Sequence, residues 1–324
     1  MYPFEKSITL SEKAGTILYE TPYGESFSKP YNTVVMQGES GYTDLAIELH
    51  MKDSGLSLRP DIMKVYRNGR FWARFKLPAG KKESFKIVFL NTGASKAFKL
   101  TIYEIQAFYE IVKQKAEFQY IPDPSLSVPD TLKLIRRSEW QASPPKEPYT
   151  VHQPRAITIH HTAGKLTTSL EESMSEIQFI QDYHQNAKGW NDIGYHFLLD
   201  SLGNVFEGRP IKVVGAHAYM RNTDNIGISL MGNYHPPKND QPSQKALEAM
   251  ISIASYIANT YSVEQSSFHA HRDIGSTDCP GDILYSKIPE IKKAVFESQS
   301  ATIDLSTTVA PSPVPGTLPD IFKP

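Results

Sequence analysis

RAITIHHT, residues 155–162, sets Ile157 and Ile159 two positions apart and ends on the adjacent histidines His160 and His161. Apolar residues with period two read as a β-strand. GYHFLLD (194–200), NVFEGR (204–209), NIGISLMGN (225–233) and FHAH (268–271) read the same way. Between them, residues 170–184 carry Met174, Ile177, Phe179, Ile180 and Tyr183 at helical spacing. Residues 243–260 do so with Ala246, Met250, Ile253, Ala254 and Ile257. The pattern predicts an α/β domain, a central mixed sheet covered by helices. No internal repeat at solenoid or propeller period is present.

Upstream, from about residue 30 to 110, the period is two throughout. In KVYRNGRFWARFKL, Phe71, Ala73, Phe75 and Leu77 share one face, and Trp72, Arg74 and Lys76 the other. Asn68-Gly69 tolerates the positive φ angles of a tight turn, so 64–77 reads as a hairpin. FKIVFL and FKLTIYEI add two strands around the turn-like NTGAS. Residues 1–110 are thus expected to form an all-β, sandwich-like domain, and 111–134, with Pro122, Pro124 and Pro129, a connector. The α/β domain would occupy 135–298, and the Pro/Ser/Thr-rich 299–324 an extended tail.

The 324 residues are 40% hydrophobic and 21% charged, a folded chain of two-domain length. A formal net charge of -1 offers no general attraction to nucleic acid. No apolar run approaches the roughly 18 to 20 residues that cross a bilayer, and MYPFEKSITL lacks the apolar segment of an export signal. A single cysteine, Cys279, excludes an internal disulfide.

That cysteine lies in HAHRDIGSTDCPGD (269–282), eight residues after His271. Histidine and cysteine are zinc-ligand types, and a catalytic zinc site takes three protein ligands and leaves one position open. Two histidines and Cys279 would meet that count.

Seven motifs in order, RRSEW (136–140), ITIHHTA, GWNDIGYHFLLD, NVFEGR, VGAHA, NIGISLMGNY and HRDIGSTDCPGD, resemble the type 2 N-acetylmuramoyl-L-alanine amidase family. Within it the chain is most similar to peptidoglycan recognition proteins. The resemblance implies Zn²⁺ as cofactor, with His160, His271 and Cys279 as ligands. His161, its neighbour on a strand, should face the other way. Cysteine at 279 resembles the amidase-active members, since recognition proteins without activity typically carry serine there. Tyr195 matches a tyrosine beside the reacting water, and Thr277 stands where phage lysozyme-type amidases have a lysine. Ser229 and Met231 occupy the strand on which cytoplasmic recycling amidases place a glutamate.

The same resemblance implies hydrolysis of the amide joining N-acetylmuramic acid to L-alanine, with peptidoglycan or muropeptides as partner; the alternatives are a peptidoglycan-recognition module that does not cut, or another zinc amide hydrolase built on the same site. His217 and Trp190 are implied as cleft residues, His217 either meeting substrate or bonded to backbone. Arg209 would contact a stem-peptide carboxylate or pair with Glu207. Pro210 and Ile211 match neither pattern that separates diaminopimelate from lysine. Such a substrate implies a periplasmic or secreted protein. For the N-terminal strands, two readings stand: a wall- or carbohydrate-binding domain with an exposed Trp72 to stack on sugars, or a packing or dimerisation domain.

Overall fold

The computed structural model describes residues 4–8, 15–93, 97–110, 128 and 132–303. Nine described strands come first: β1 (Phe4–Ile8), β2 (Ile17–Glu20), β3 (Tyr31–Ser40), β4 (Ala46–Met51), β5 (Ser57–Leu58), β6 (Ile62–Val65), β7 (Arg70–Lys81), β8 (Phe85–Leu90) and β9 (Phe98–Phe108). They make two antiparallel sheets, ordered β1-β9-β3-β7-β6 and β2-β8-β4-β5. Val34, Phe71, Phe75 and Leu100 of the first pack on Ile47, Leu49, Ile87 and Phe89 of the second in one core. The β6–β7 hairpin turns at Asn68-Gly69. Gly69 has φ +83°, and a Cβ there would lie 2.4 Å from the Ser40 carbonyl oxygen, so the turn requires glycine.

The third sheet contains β10 (Leu134–Ile135), β11 (Ala156–His161), β12 (Phe197–Leu199), β13 (Val205–Glu207), β14 (Asn225–Leu230) and β15 (Phe268–Ala270). Its order is β10-β13-β12-β14-β11-β15, parallel except for β12–β13. Helix α1 (Leu170–Asp182) covers one face and α2 (Gln244–Tyr261) the other. Each starts at a serine whose side chain accepts a backbone N–H, Ser169 from Glu172 and Ser243 from Ala246. Two short helices follow, α3 (His271–Ile274) and α4 (Asp282–Tyr285), and then α5 (Ile288–Ile303) packs beside α2. Ile157 and Ile159 of β11 and Ile226 and Ile228 of β14 face α2 and α5, leaving the opposite face of both strands to Thr158, His160, Gly227 and Ser229.

The side of β7 that carries Trp72 is buried where exposure was expected. Trp72, expected to be exposed for sugar stacking, is 1% exposed, and its Nε1 donates to Asp182 at the end of α1 (2.7 Å). Val35 and Trp72 share a core with Ile177, Phe179, Ile180 and Tyr183. Arg70, on the same side as Trp72, is fully buried against Glu176 of α1. The first sheet is thus covered on both faces, one by the second sheet and one by α1. Its outer face looked hydrophilic because the contact is built from arginines and hydrogen-bonded side chains.

Leu132 lies in the core of the third sheet, just before β10. The NTGAS turn is described only to Gly93, and most of the connector, 111–127 and 129–131, lies outside the described residues, as does the tail from 304. Helix α5 occupies 299–303, where the tail was expected to begin. Among the described residues, no helix is long and apolar enough to cross a membrane.

Candidate metal centre and cleft

Parallel pairing assembles the centre. Ile159 of β11 stands opposite Ala270 of β15, so the next residues, His160 and His271, leave the strand ends side by side. Their ring centroids are 4.5 Å apart. The loop after α3 returns to the same place, closed by the Arg272 N–H donating to the Cys279 carbonyl (2.9 Å). Cys279 Sγ then lies 3.6 Å from His160 Nδ1 and accepts the His161 N–H at 3.4 Å. One ligand atom from each of His160, His271 and Cys279 lies within 4.8 Å of the others, so the three could hold one metal ion. His160 and His271 sit at the C-terminal ends of parallel strands, where α/β sheets form their sites, and Cys279 reaches them from the loop after α3.

The electrostatics suit neutral donors. Burial, followed by the neighbouring histidines, pushes His160 well below the usual imidazole range, and burial lowers His271 as well. Part of Cys279 reaches solvent, yet its sulfur is enclosed, and burial raises the thiol to about 12. The imidazoles thus present lone pairs, whereas the thiol must lose its proton to a bound cation.

His217 stands directly behind His160. Its Nε2 is 3.0 Å from the Asn225 carbonyl oxygen, which only accepts, so Nε2 carries the hydrogen. Burial holds His217 neutral, its pKa down to about 3, which leaves Nδ1 as an acceptor. That Nδ1 lies 3.0 Å from His160 Nε2, which must therefore donate. His160 Nδ1 is left unprotonated and aimed at Cys279. One backbone carbonyl thereby sets the tautomer of two histidines, the arrangement that orients a metal-ligating imidazole. Gly227 gives this pair its room, since a Cβ there would lie 2.5 Å from His217 Cγ.

The remaining sequence candidates divide. Tyr195 lies with its ring centroid 5.3 Å from that of His160, and burial raises its pKa, so the phenol stays protonated. Thr277 is exposed at the cleft, and its hydroxyl oxygen accepts the Cys279 N–H (3.2 Å). Trp190 lines the cleft, its ring 4.6 Å from that of His184 and below the Lys188 ammonium. His161 points away, its Nδ1 accepting the Tyr234 N–H (3.3 Å). Arg209 follows neither of its expected readings. It is 6% exposed, and its guanidinium donates to the carbonyls of Ile193 (2.6 Å), Val214 (2.7 Å) and Asp192 (3.3 Å). Ser229 pairs with His160 across the sheet, and no carboxylate takes its place.

The cluster opens into a cavity of about 530 Å³. Its walls include residues that sequence reasoning missed: His184, Lys188 and His235, and, from the N-terminal sheet, Gln37, Tyr103, Glu104 and Ile105. Lys188 could be suspected only from its nearness to Trp190. Nothing local marks the N-terminal four. Glu104 accepts from Lys188 (2.8 Å), Gln37 (3.1 Å) and Tyr183 (3.1 Å). Burial alone would raise its pKa, and these contacts, Lys188 foremost, hold it below the usual range.

Fold and cluster together define an α/β domain with a candidate His-His-Cys metal centre. The pattern of the family described as N-acetylmuramoyl-L-alanine amidase matches residues 150–282. Peptidoglycan-recognition protein SC2 of Drosophila melanogaster is 36% identical over 157 residues, 48% of this chain and 84% of that protein. Peptidoglycan-recognition protein LB of the same fly is 33% identical over 186 residues, 56% of this chain and 77% of that protein. Peptidoglycan recognition protein 1 of Bos indicus is 34% identical over 166 residues, 50% and 85% of the two chains. The chain belongs to this amidase family, among relatives named as peptidoglycan recognition proteins.

Proposed function

We propose that the chain is a zinc-dependent amidase that cleaves the bond between N-acetylmuramic acid and L-alanine in peptidoglycan or muropeptides. The observation that carries this reading is the convergence of His160, His271 and Cys279 at the floor of an open cleft. Two imidazoles and a thiolate fit Zn²⁺ and leave one tetrahedral position free. Bound there, the ion would polarise the lactyl carbonyl and activate water near neutral pH.

The chain's own groups supply the rest. The carbonyl of Asn225, through His217, holds His160 in the ligating tautomer. Tyr195, kept protonated by burial, donates its O–H to the oxyanion that develops on the carbonyl. Thr277 uses its oxygen to accept from Cys279 and keeps its own O–H to donate on the same side of the cleft. Trp190 gives the substrate an apolar face. His217 acts behind His160 as a positioning residue, and Arg209 shapes the backbone under the cleft. The amidase half corresponds to residues 135–298, and a peptidoglycan substrate places the work outside the cytoplasmic membrane, in the periplasm or beyond the cell.

Mass spectrometry of purified peptidoglycan fragments after incubation tests this. Free stem peptides are expected from the wild type, and none from Cys279→Ser or after EDTA. Intact fragments that stay bound to the wild type would replace the amidase with a recognition module.

A further inference from the structure

The cleft continues beyond the metal centre on two sides, and the N-terminal sheets help to build both. Ile105 of β9, half-buried, lies on the wall of the metal cavity and also of a second cavity of about 520 Å³. That second cavity is formed by the loop 21–28 and Phe85. On the other side, Lys188 and Trp190 are shared between the metal cavity and a third one of about 790 Å³. The family match covers 150–282, so it assigns no role to Ile105 or to the loop.

An amide between a sugar and a peptide must leave the metal centre in two directions, and the two flanking cavities differ in chemistry. The third cavity is lined by Lys76, Lys146 and Lys188, with Glu147 and an Arg74–Glu110 ion pair, while the Arg209 guanidinium is taken up by backbone carbonyls. A stem peptide carries several carboxylates and suits that side. The second cavity holds one charged residue, Glu25, with Tyr23, Phe27 and Phe85 and the hydroxyls of Thr21, Ser26 and Ser28. Aromatic faces beside hydroxyls and a carboxylate suit an uncharged ring with apolar faces and many hydroxyls. The Glu104–Lys188 pair (2.8 Å) ties β9 to the turn that carries Trp190.

We propose that the saccharide leaves the metal centre across Ile105 into the cavity beneath Tyr23, and the peptide past Trp190. The N-terminal sandwich is then a saccharide subsite of the cleft itself. This rests on the amidase-fold substrate class proposed above.

Equilibrium binding by calorimetry tests the assignment, using the full chain with Cys279→Ser so that ligands stay intact. The probes are N-acetylglucosaminyl-N-acetylmuramyl tripeptide and the matching free tripeptide. Tyr23→Ala and Ile105→Arg are each expected to weaken the saccharide-bearing ligand roughly tenfold and to leave the free tripeptide unchanged. Trp190→Ala is expected to weaken both. Tyr23 is 40% exposed, so its truncation spares the core, and the unfolding midpoint measured alongside confirms an intact fold. Unchanged affinity for the saccharide ligand in both N-terminal variants, or equal losses for both ligands, overturns the assignment while leaving the amidase reading intact. If the Cys279→Ser chain binds neither probe the assignment is overturned, whereas the amidase reading stands or falls separately with release of stem peptides by the wild type.

Discussion

Arg70 of the N-terminal sheet and Glu176 of helix α1 are joined by two N–H···O bonds of 2.8 and 2.9 Å, with both side chains closed off from water. The guanidinium also donates to the Gly38 carbonyl and to Gln37 Oε1, each at 2.9 Å, and lies 3.8 Å from the Phe179 ring. Its desolvation is therefore compensated on every side. Removing one partner strands the other's charge, which typically costs about 3–5 kcal/mol. Arg70→Met is expected to lose that much in urea unfolding, and Arg70→Met with Glu176→Leu to recover a large part of it. A double variant no more stable than the single one would show that the pair holds the halves together by net attraction.

Excising residues 132–303 should not give a well-behaved protein. Ile177, Phe179 and Tyr183, at most 1% exposed in the intact chain, would lose their cover by Val35 and Trp72. A contiguous apolar patch of that kind drives association. Light scattering is expected to report oligomers or aggregates, and a monodisperse monomer as stable as the whole chain would contradict the interface described.

His217 is expected to act on metal affinity without being a ligand. His217→Phe takes away the acceptor that fixes His160, and loss of such a partner commonly lowers affinity about 10- to 100-fold. Gly227→Ala should act in the same direction, because its Cβ would meet His217 Cγ at 2.5 Å. Zinc titration against a competing chelator measures both, and wild-type affinity in His217→Phe would remove the tautomer argument.

Acid should loosen the contact at Asp182. Burial alone would raise its pKa, but hydrogen bonds from Tyr66, Trp72, Asn186 and Lys64 outweigh burial and hold it below the ordinary 3.8. A lowered folded value means that this stabilisation is fully present above 3.8 and fades as pH falls through the folded value. Wild type should therefore exceed Asp182→Asn in unfolding midpoint at neutral pH. The gap should close as pH falls below 3.8, and a gap independent of pH would exclude the linkage.

The strands of the third sheet were legible because Ile157, Ile159, Ile226 and Ile228 alternate with small or polar residues, and one face of each strand meets α2 and α5. The candidate ligands were legible because each lies inside a motif with characteristic neighbours. Burial of Arg70, Trp72 and Arg74 was not, since polar side chains alternating with apolar ones carry the same signal whether water or a helix lies outside. Their partners are also remote: Glu176 is 106 residues from Arg70. Arg209 misled for a related reason. A guanidinium that satisfies three backbone carbonyls has no pattern in the neighbouring residues, and its identity alone suggests a charge seeking a charge.

The doubled histidine at the end of β11 has a consequence for how the strand finds its place. Moved by one residue, β11 would still present an imidazole towards Cys279, His161 in place of His160. A metal ion could therefore not proofread the alignment. The two isoleucines do so instead, because the same shift would turn Ile157 and Ile159 out of the apolar layer and drive Thr158 and His160 into it. Correct registration of the strand that carries His160 is thus enforced from the side of the sheet opposite the candidate ligands.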